Sequence, residues 1–273
     1  MAHIVVPEAE ALLDREVGVL DRGFVRLVDY LGGDARIVAA ARVSYGTGTK
    51  TVREDRGLIN YLMRNMHTSP FEQVVLTFHV KMPIFVMRQW VRHRTARLNE
   101  LSGRYSVMTD EFYCPDPADI RFQSDKNRQM SSDEEVPAGL RAEVLRIIDE
   151  GQKGSYGDYQ KLVDRRIARE LARINLPLSI YTQIYWQIDL HNLFHFLRLR
   201  LDEHAQYEIR VYAEVLAAAA KAVAPFAFEA FEEHVLNARR FSAKEFTALK
   251  EILAGNANPL SGRDLEEFQK KLG

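Results

Sequence analysis

The stretch VVLTFHVKMP, residues 74 to 83, constrains the fold of this chain more than any other. Apolar side chains recur at every second position, Val74, Leu76, Phe78, Val80 and Met82, with Val75, Thr77, His79 and Lys81 between them. Successive side chains of a strand point to opposite faces, so the alternation predicts a strand with one face on a core. Pro83 suits the first position of a helix, and IFVMRQWVRH (84 to 93) reads as a short helix. That helix carries RHRTARLNELSGRY (92 to 105) at its C-terminal end.

This motif concentrates Arg92, His93, Arg94, Arg97 and Arg104 around one acid, Glu100, in a chain whose 37 Lys and Arg nearly balance 38 Asp and Glu. A balanced chain offers no broad basic face for duplex nucleic acid, so the cluster reads as a local site. Gln89, Arg92 and His93 share one helix face by their spacing, and the residues from Arg94 to Arg104 read as a loop. A helix C-terminus attracts one or two cations through its macrodipole. Four arginines, with Asn99, Glu100 and Ser102 among them and a Ser-Gly that lets backbone approach a ligand, point instead to an anion such as phosphate, whose geometry guanidinium forks match.

Elsewhere, VGVLDRGFVRLVDYLG (17 to 32) has β-branched and aromatic residues around the turn signal Asp21-Arg22-Gly23 and predicts a strand or hairpin. Asp34 is placed to cap a helix over 35 to 45, followed by a glycine-containing loop at 46 to 51. LINYLMRNM (58 to 66) has helical spacing and stops before Pro70. Residues 124 to 139 are polar and read as an exposed loop; roughly 140 to 174 and 178 to 222, with breaks, read as helical, and further helices are expected after Asn237. Strands early and helices late favour an α+β fold over an alternating α/β sheet.

At 273 residues and 47% hydrophobic composition, with no Pro/Gly-rich linker, the expectation is a single catalytic domain over 1 to 273. No apolar run reaches the ~18 residues of a membrane span and the N-terminus turns acidic too early for a signal peptide, so a cytoplasmic location is expected. The single cysteine, Cys114, forbids an internal disulfide and reads as a small packing residue.

A second constellation is DLHNLFHFLRLRLDEHAQYEIR, 189 to 210. His191 and His195 are one helical turn apart, as are Arg200 and His204, yet on a continuous helix the two pairs fall on opposite faces and do not gather around one ion. No metal site is expected. Arg200 lies in the apolar run LFHFLRLRL, where a guanidinium is costly unless an anion or polar ligand meets it. A helix with functional groups on both sides suggests a site shared between subunits. From these residues alone, a nucleic-acid-binding module using the arginines and a metal-dependent hydrolase using the histidines stay open as alternatives.

QWVRHRTARLNELSGRYS (89 to 106) resembles the signature of flavin-dependent thymidylate synthases, Arg-His-Arg, seven residues, then Ser. HTSPFE (67 to 72), ARINLPLSIYT (172 to 182) and LRLRLDEHAQYEIR (197 to 210) are similar to further segments of that family, in the same order. The resemblance covers about 17 to 236, leaving an N-terminal extension (1 to 16) and a tail (237 to 273) with no assigned counterpart. It implies an α+β fold, a twisted, mostly antiparallel sheet flanked by helices, and a homotetramer with active sites at subunit interfaces. The implied reaction methylates dUMP to dTMP, with 5,10-methylenetetrahydrofolate as carbon donor and FAD, reduced by NADPH, as hydride donor. No nucleic acid or membrane partner is implied.

By the same resemblance Gln89, Trp90, Val91, Arg92, Glu100, Leu101, Ser102, Gly103, Arg104, Arg173 and Arg200 surround dUMP, with Arg200 catalytic. His67, Ser69, Arg92, His93, Arg94, Asn99, Glu100, Asp189, Leu190, His191, His195, Arg200 and His204 line the FAD site. Ser102 has no adjacent base and is read as a dUMP contact rather than a nucleophile. Two departures stand out. Arg97 replaces a small hydroxyl residue, and either meets the flavin diphosphate or faces solvent. Asp189, His191 and His195 stand where the family often has Asn, Arg and Asn.

Overall fold

The computed structural model describes residues 4 to 43, 52 to 125, 131, 132 and 134 to 272. The expected loop at 46 to 51, the end of the expected helix at 44 and 45, and 126 to 130 and 133 of the expected polar loop lie outside these. The chain divides into two compact units, Met1–Ala230 and Phe231–Gly273.

In the first unit, α1 (Pro7–Glu10) precedes the hairpin expected near the start, β1 (Glu16–Val19) and β2 (Gly23–Leu31). α2 (Asp34–Arg42) and α3 (Val52–Arg64) follow, and then β3 (Val75–Pro83), the alternating strand. Pro83 closes β3 in extended conformation, one residue before α4 (Ile84–Trp90). The helix expected over 84 to 93 therefore ends earlier, and Arg92 and His93 sit in the turn after it. Next come β4 (Arg97–Glu100), α5 (Ala138–Asp164), α6 (Arg169–Ala172), β5 (Tyr181–Asp189), α7 (Leu190–Arg200), α8 (Tyr207–Val223) and α9 (Pro225–Phe231). One antiparallel sheet runs β1-β2-β3-β5-β4, flanked by helices, the α+β arrangement expected.

Three expectations are corrected by this topology. YTQIYWQID, read as helical, is β5, paired with β3 along its whole length. Its Ile184, Trp186 and Ile188 are buried while Gln183, Tyr185 and Gln187 alternate with them, a period of two that the apolar helix following it obscures. Arg97–Glu100, read as loop, is an exposed edge strand on β5. Asp34 does not cap its own helix; its carboxylate accepts from the backbone N–H groups of Phe226 and Ala227 (2.8 and 3.0 Å) and so caps α9.

The core lies between the apolar sheet face and the helices. Leu76, Phe78, Val80 and Met82 are fully buried, and Trp90 at the end of α4 packs against Trp186 (5.0 Å between ring centroids) and Phe196 (4.7 Å). This aromatic cluster anchors the C-terminal end of α4, and with it the turn carrying Arg92 and His93. A smaller core of Met108, Phe112, Tyr156, Tyr159, Ala172 and Ile180 joins α5 and α6 to the segment after β4. Tyr159 Oη accepts from Met108 N and Tyr156 Oη donates to Met108 O, both at 3.0 Å, so two tyrosines of α5 clamp the backbone of one residue on both sides.

The second unit contains α10 (Ala243–Leu253) and α11 (Gly262–Leu272). Ser242 and Glu245 form a capping box on α10, and the Glu245 carboxylate also accepts from Lys271 Nζ (2.6 and 2.7 Å), which holds its pKa below the usual range. The Phe241 and Phe268 rings pack at a tilt, 5.9 Å between centroids.

Candidate active site

Two clefts gather the residues of the arginine motif. The larger, about 680 Å³, is lined by Asn99 to Tyr105, Met108, Glu170, Arg173, Ile174 and Thr182, over a floor of Ile84, Leu176, Leu178 and Ile180. It contains Glu100, Leu101, Ser102, Gly103, Arg104 and Arg173, six of the residues expected around a nucleotide. After β4 the chain turns sharply: Tyr105 N and Ser106 N donate to Ser102 O (3.0 and 3.2 Å), and Arg169 Nη1 donates to Tyr105 O at 2.7 Å. Gly103 is buried where Arg173 passes over it. A Cβ there would lie 3.2 Å from Arg173 Cδ and 2.9 Å from Met108 Sδ, so any larger residue would push the Met108 and Arg173 side chains aside.

The smaller cleft, about 300 Å³, is lined by Arg92, His93, Arg94, Thr95, Ile188, Asn192, His195, Leu199 and Arg200. Arg200 Nε donates to His93 Nε2 at 3.2 Å. Burial, together with the Arg200 guanidinium and His195, pulls the His93 pKa down to about 4, so near neutral pH the ring is uncharged and Nε2 has a lone pair to offer. Burial also lowers the Arg200 pKa from its ordinary value. Phe196 packs against the His93 ring at 4.7 Å. The couple fixes a half-buried guanidinium at the wall of a cationic cleft. Gln89 reaches across from α4 to hydrogen-bond Gln206, in the turn between α7 and α8.

Several expected site residues lie elsewhere. The side chains of Trp90 and Leu190 are fully buried in the core, whereas Val91 is exposed. Asp189 caps α7, accepting from Asn192 N (2.9 Å) and Asn192 Nδ2 (2.7 Å). His67 and Ser69 are exposed beyond the end of α3, where His67 meets the Tyr61 ring edge-on at 5.9 Å. His195 and His204 do not share a continuous helix: α7 ends at Arg200, and His204 sits in the following turn bonded to Asp202. His191 lies on α7 outside the smaller cleft. Arg97 is exposed and donates to Gln187 Oε1 on β5 at 3.2 Å, in neither cleft. Cys114 is exposed rather than packed, with burial of part of the thiol and Asp21 raising its pKa. Sequence reasoning left out Asn192, Thr95 and Thr182. Thr182 closes the ARINLPLSIYT segment, so its place beside a motif was visible.

Residues 26 to 226 match the model of the thymidylate synthase complementing protein family, and residues 240 to 273 match that of the thymidylate synthase ThyX C-terminal domain. The chain belongs to the flavin-dependent thymidylate synthase family. A flavin-dependent thymidylate synthase from Treponema denticola is 61% identical over 260 residues, 95% of this chain and 98% of the relative. One from Treponema pallidum is 56% identical over 272 residues, 100% of this chain and 89% of the relative. Among solved structures, a UMP/dUMP methylase, PolB from Streptomyces cacaoi, bound with 5-Br dUMP, aligns with a TM-score of 0.73 at 34% identity, covering 81% of this chain and 99% of that one. The tail, left without a counterpart by its sequence, is thus a recurrent part of flavin-dependent thymidylate synthases. Among the described residues no group of three or more His, Cys, Asp or Glu is placed to hold a metal ion, and no helix is long and apolar enough to cross a membrane.

Proposed function

We propose that this protein methylates dUMP to dTMP as a flavin-dependent thymidylate synthase. The observation that carries this reading is Arg200 held by His93 at the wall of a cleft it shares with Arg92 and Arg94. The donor set fits a flavin dinucleotide: three guanidinium groups suit a diphosphate, and Thr95, Asn192 and His195 supply polar contacts. Its volume is at the low end of the range of about 300 to 1,000 Å³ for small-molecule sites, so the cleft accommodates part of such a ligand. When bound, the flavin supplies the hydride that turns the transferred methylene into a methyl group.

The chain's own residues bind and polarise. Arg104, Arg173 and Ser102 hold the dUMP phosphate in the larger cleft. Arg200 stabilises negative charge developing on the uracil at N3 and O2, which makes C5 nucleophilic toward the methylene donor. The alignment of the two rings is then a matter of orientation, supplied by the rigid α4 turn and α7. Methylenetetrahydrofolate supplies the carbon and leaves as tetrahydrofolate; NADPH supplies the reducing equivalents.

Arg173 and Arg200 line different clefts of one chain, so a site that uses both is completed by a second subunit. Exposed Leu101, Tyr105, Ile174 and Leu178 around the larger cleft support such an interface. We assign the homotetramer on this basis, with His67 and Ser69 approaching the flavin from a neighbouring subunit. A visible absorption spectrum of the purified protein and a dTMP assay test the reading together. A yellow tetramer that releases FAD on denaturation and forms dTMP with tetrahydrofolate as coproduct supports it; a colourless protein that cannot be reconstituted with FAD overturns it.

A further inference from the structure

Thr182 is 1% exposed and lies on the apolar face of β5, at the same side as Ile184, Trp186 and Ile188. The alternation calls for valine at such a position, since a hydroxyl there costs free energy unless it is hydrogen-bonded. Its hydroxyl donates to Glu100 Oε1 at 2.9 Å. Glu100 is the last residue of β4, opposite Ile184, and the next residue, Leu101, donates its N–H to Gln183 O at 2.9 Å. Both side chains line the larger cleft. One carboxylate oxygen of Glu100 is therefore tied to the sheet and the other is left to the cleft.

We propose that Thr182 is a positioning residue: it orients the Glu100 carboxylate so that Oε2 accepts a hydrogen bond from a hydroxyl or imide N–H of the pyrimidine nucleotide. Glu100 stands on an exposed edge strand, where a flexible side chain loses rotamer freedom on binding. The buried hydroxyl removes part of that cost beforehand. The Thr182 hydroxyl is committed to Glu100, so its effect on binding passes through the carboxylate. This proposal rests on the reading of the larger cleft as the dUMP site.

Thr182→Val keeps the shape and deletes the hydroxyl; Thr182→Ser keeps the hydroxyl. Titrating dUMP into the flavin-loaded holoenzyme should show a Kd about tenfold to a hundredfold weaker for Thr182→Val, near-normal affinity for Thr182→Ser, and a KM raised more than kcat is lowered. In a Glu100→Gln background the valine substitution should add little, because the group it acts through is already altered. Equal dUMP affinity in Thr182→Val and the unaltered protein overturns the assignment to Thr182, as does an undiminished effect in the Glu100→Gln background. An unaltered holoenzyme that takes up no dUMP overturns instead the nucleotide reading of the cleft. Should Thr182→Val fail to fold, the serine variant still decides: weak binding in a folded Thr182→Ser protein shows that the methyl, not the hydroxyl, is needed.

Discussion

Arg200→Lys separates charge from geometry. Lysine keeps the positive charge but loses both the planar fork and the Nε–H that donates to His93. The expected outcome is a fall in kcat of about a hundredfold or more, the scale of losing a preorganised donor to developing charge, with an unchanged circular dichroism spectrum. His93 is a second test at this scale. Its folded pKa of about 4 lies below the ordinary 6.5, held down by burial and by Arg200 and His195 of α7, while its neighbours Arg92 and Arg94 line the same cleft. Between these values the unfolded chain binds a proton that the folded chain refuses. The His93 contribution to stability is thus whole above pH 6.5 and is lost as pH falls toward 4. Asp34 works in the opposite sense: desolvation raises its pKa from 3.8 to about 6, so its contribution declines as pH rises through that window. A comparison at matched pH isolates His93: the melting temperature of the unaltered protein should fall more steeply from pH 6.5 toward 4 than that of His93→Asn.

At the level of elements, the cap on α9 shows how a residue assigned by local rules comes to act at a distance. Asp34 begins α2, but Gly33 occupies the position before it and both Asp34 oxygens turn to the first N–H groups of α9. Asp34→Ala should destabilise the protein by about 1 to 2 kcal/mol at neutral pH, measured by urea unfolding, with little effect on dUMP affinity. β5 makes the same point for strands. Its alternation is present in YTQIYWQID, but it runs without a break into the apolar α7, capped by Asp189 at the junction. Sequence periodicity alone does not mark where a strand becomes a helix when no loop intervenes. By contrast β3 is legible because its period of two is strict and a proline ends it.

For the whole molecule, the separation of Arg173 and Arg200 into two clefts has a measurable consequence. If each site takes Arg173 from one subunit and Arg200 from another, Arg173→Ala and Arg200→Lys chains complement each other when co-assembled. In an equal mixture, roughly a quarter of the sites in a symmetric oligomer would carry both intact groups, so activity should return to that order from two nearly inactive parents. Absence of recovery in mixed oligomers would place both arginines in one chain's site.

The order of residues along this chain by itself determined the single-faced strand at 74 to 83, the hairpin before it, the cationic motif and its kinship with a nucleotide-methylating family. These are local properties: a period, a turn signal and a spacing need no knowledge of what lies across the sheet. Only the tertiary structure decided that Arg97–Glu100 becomes an edge strand, that His93 receives Arg200 from 107 positions away, and that Thr182 holds Glu100 across 82. Each depends on β5 pairing with β3 and β4, and pairing energy is collected only after distant segments meet, so no local window of sequence records it.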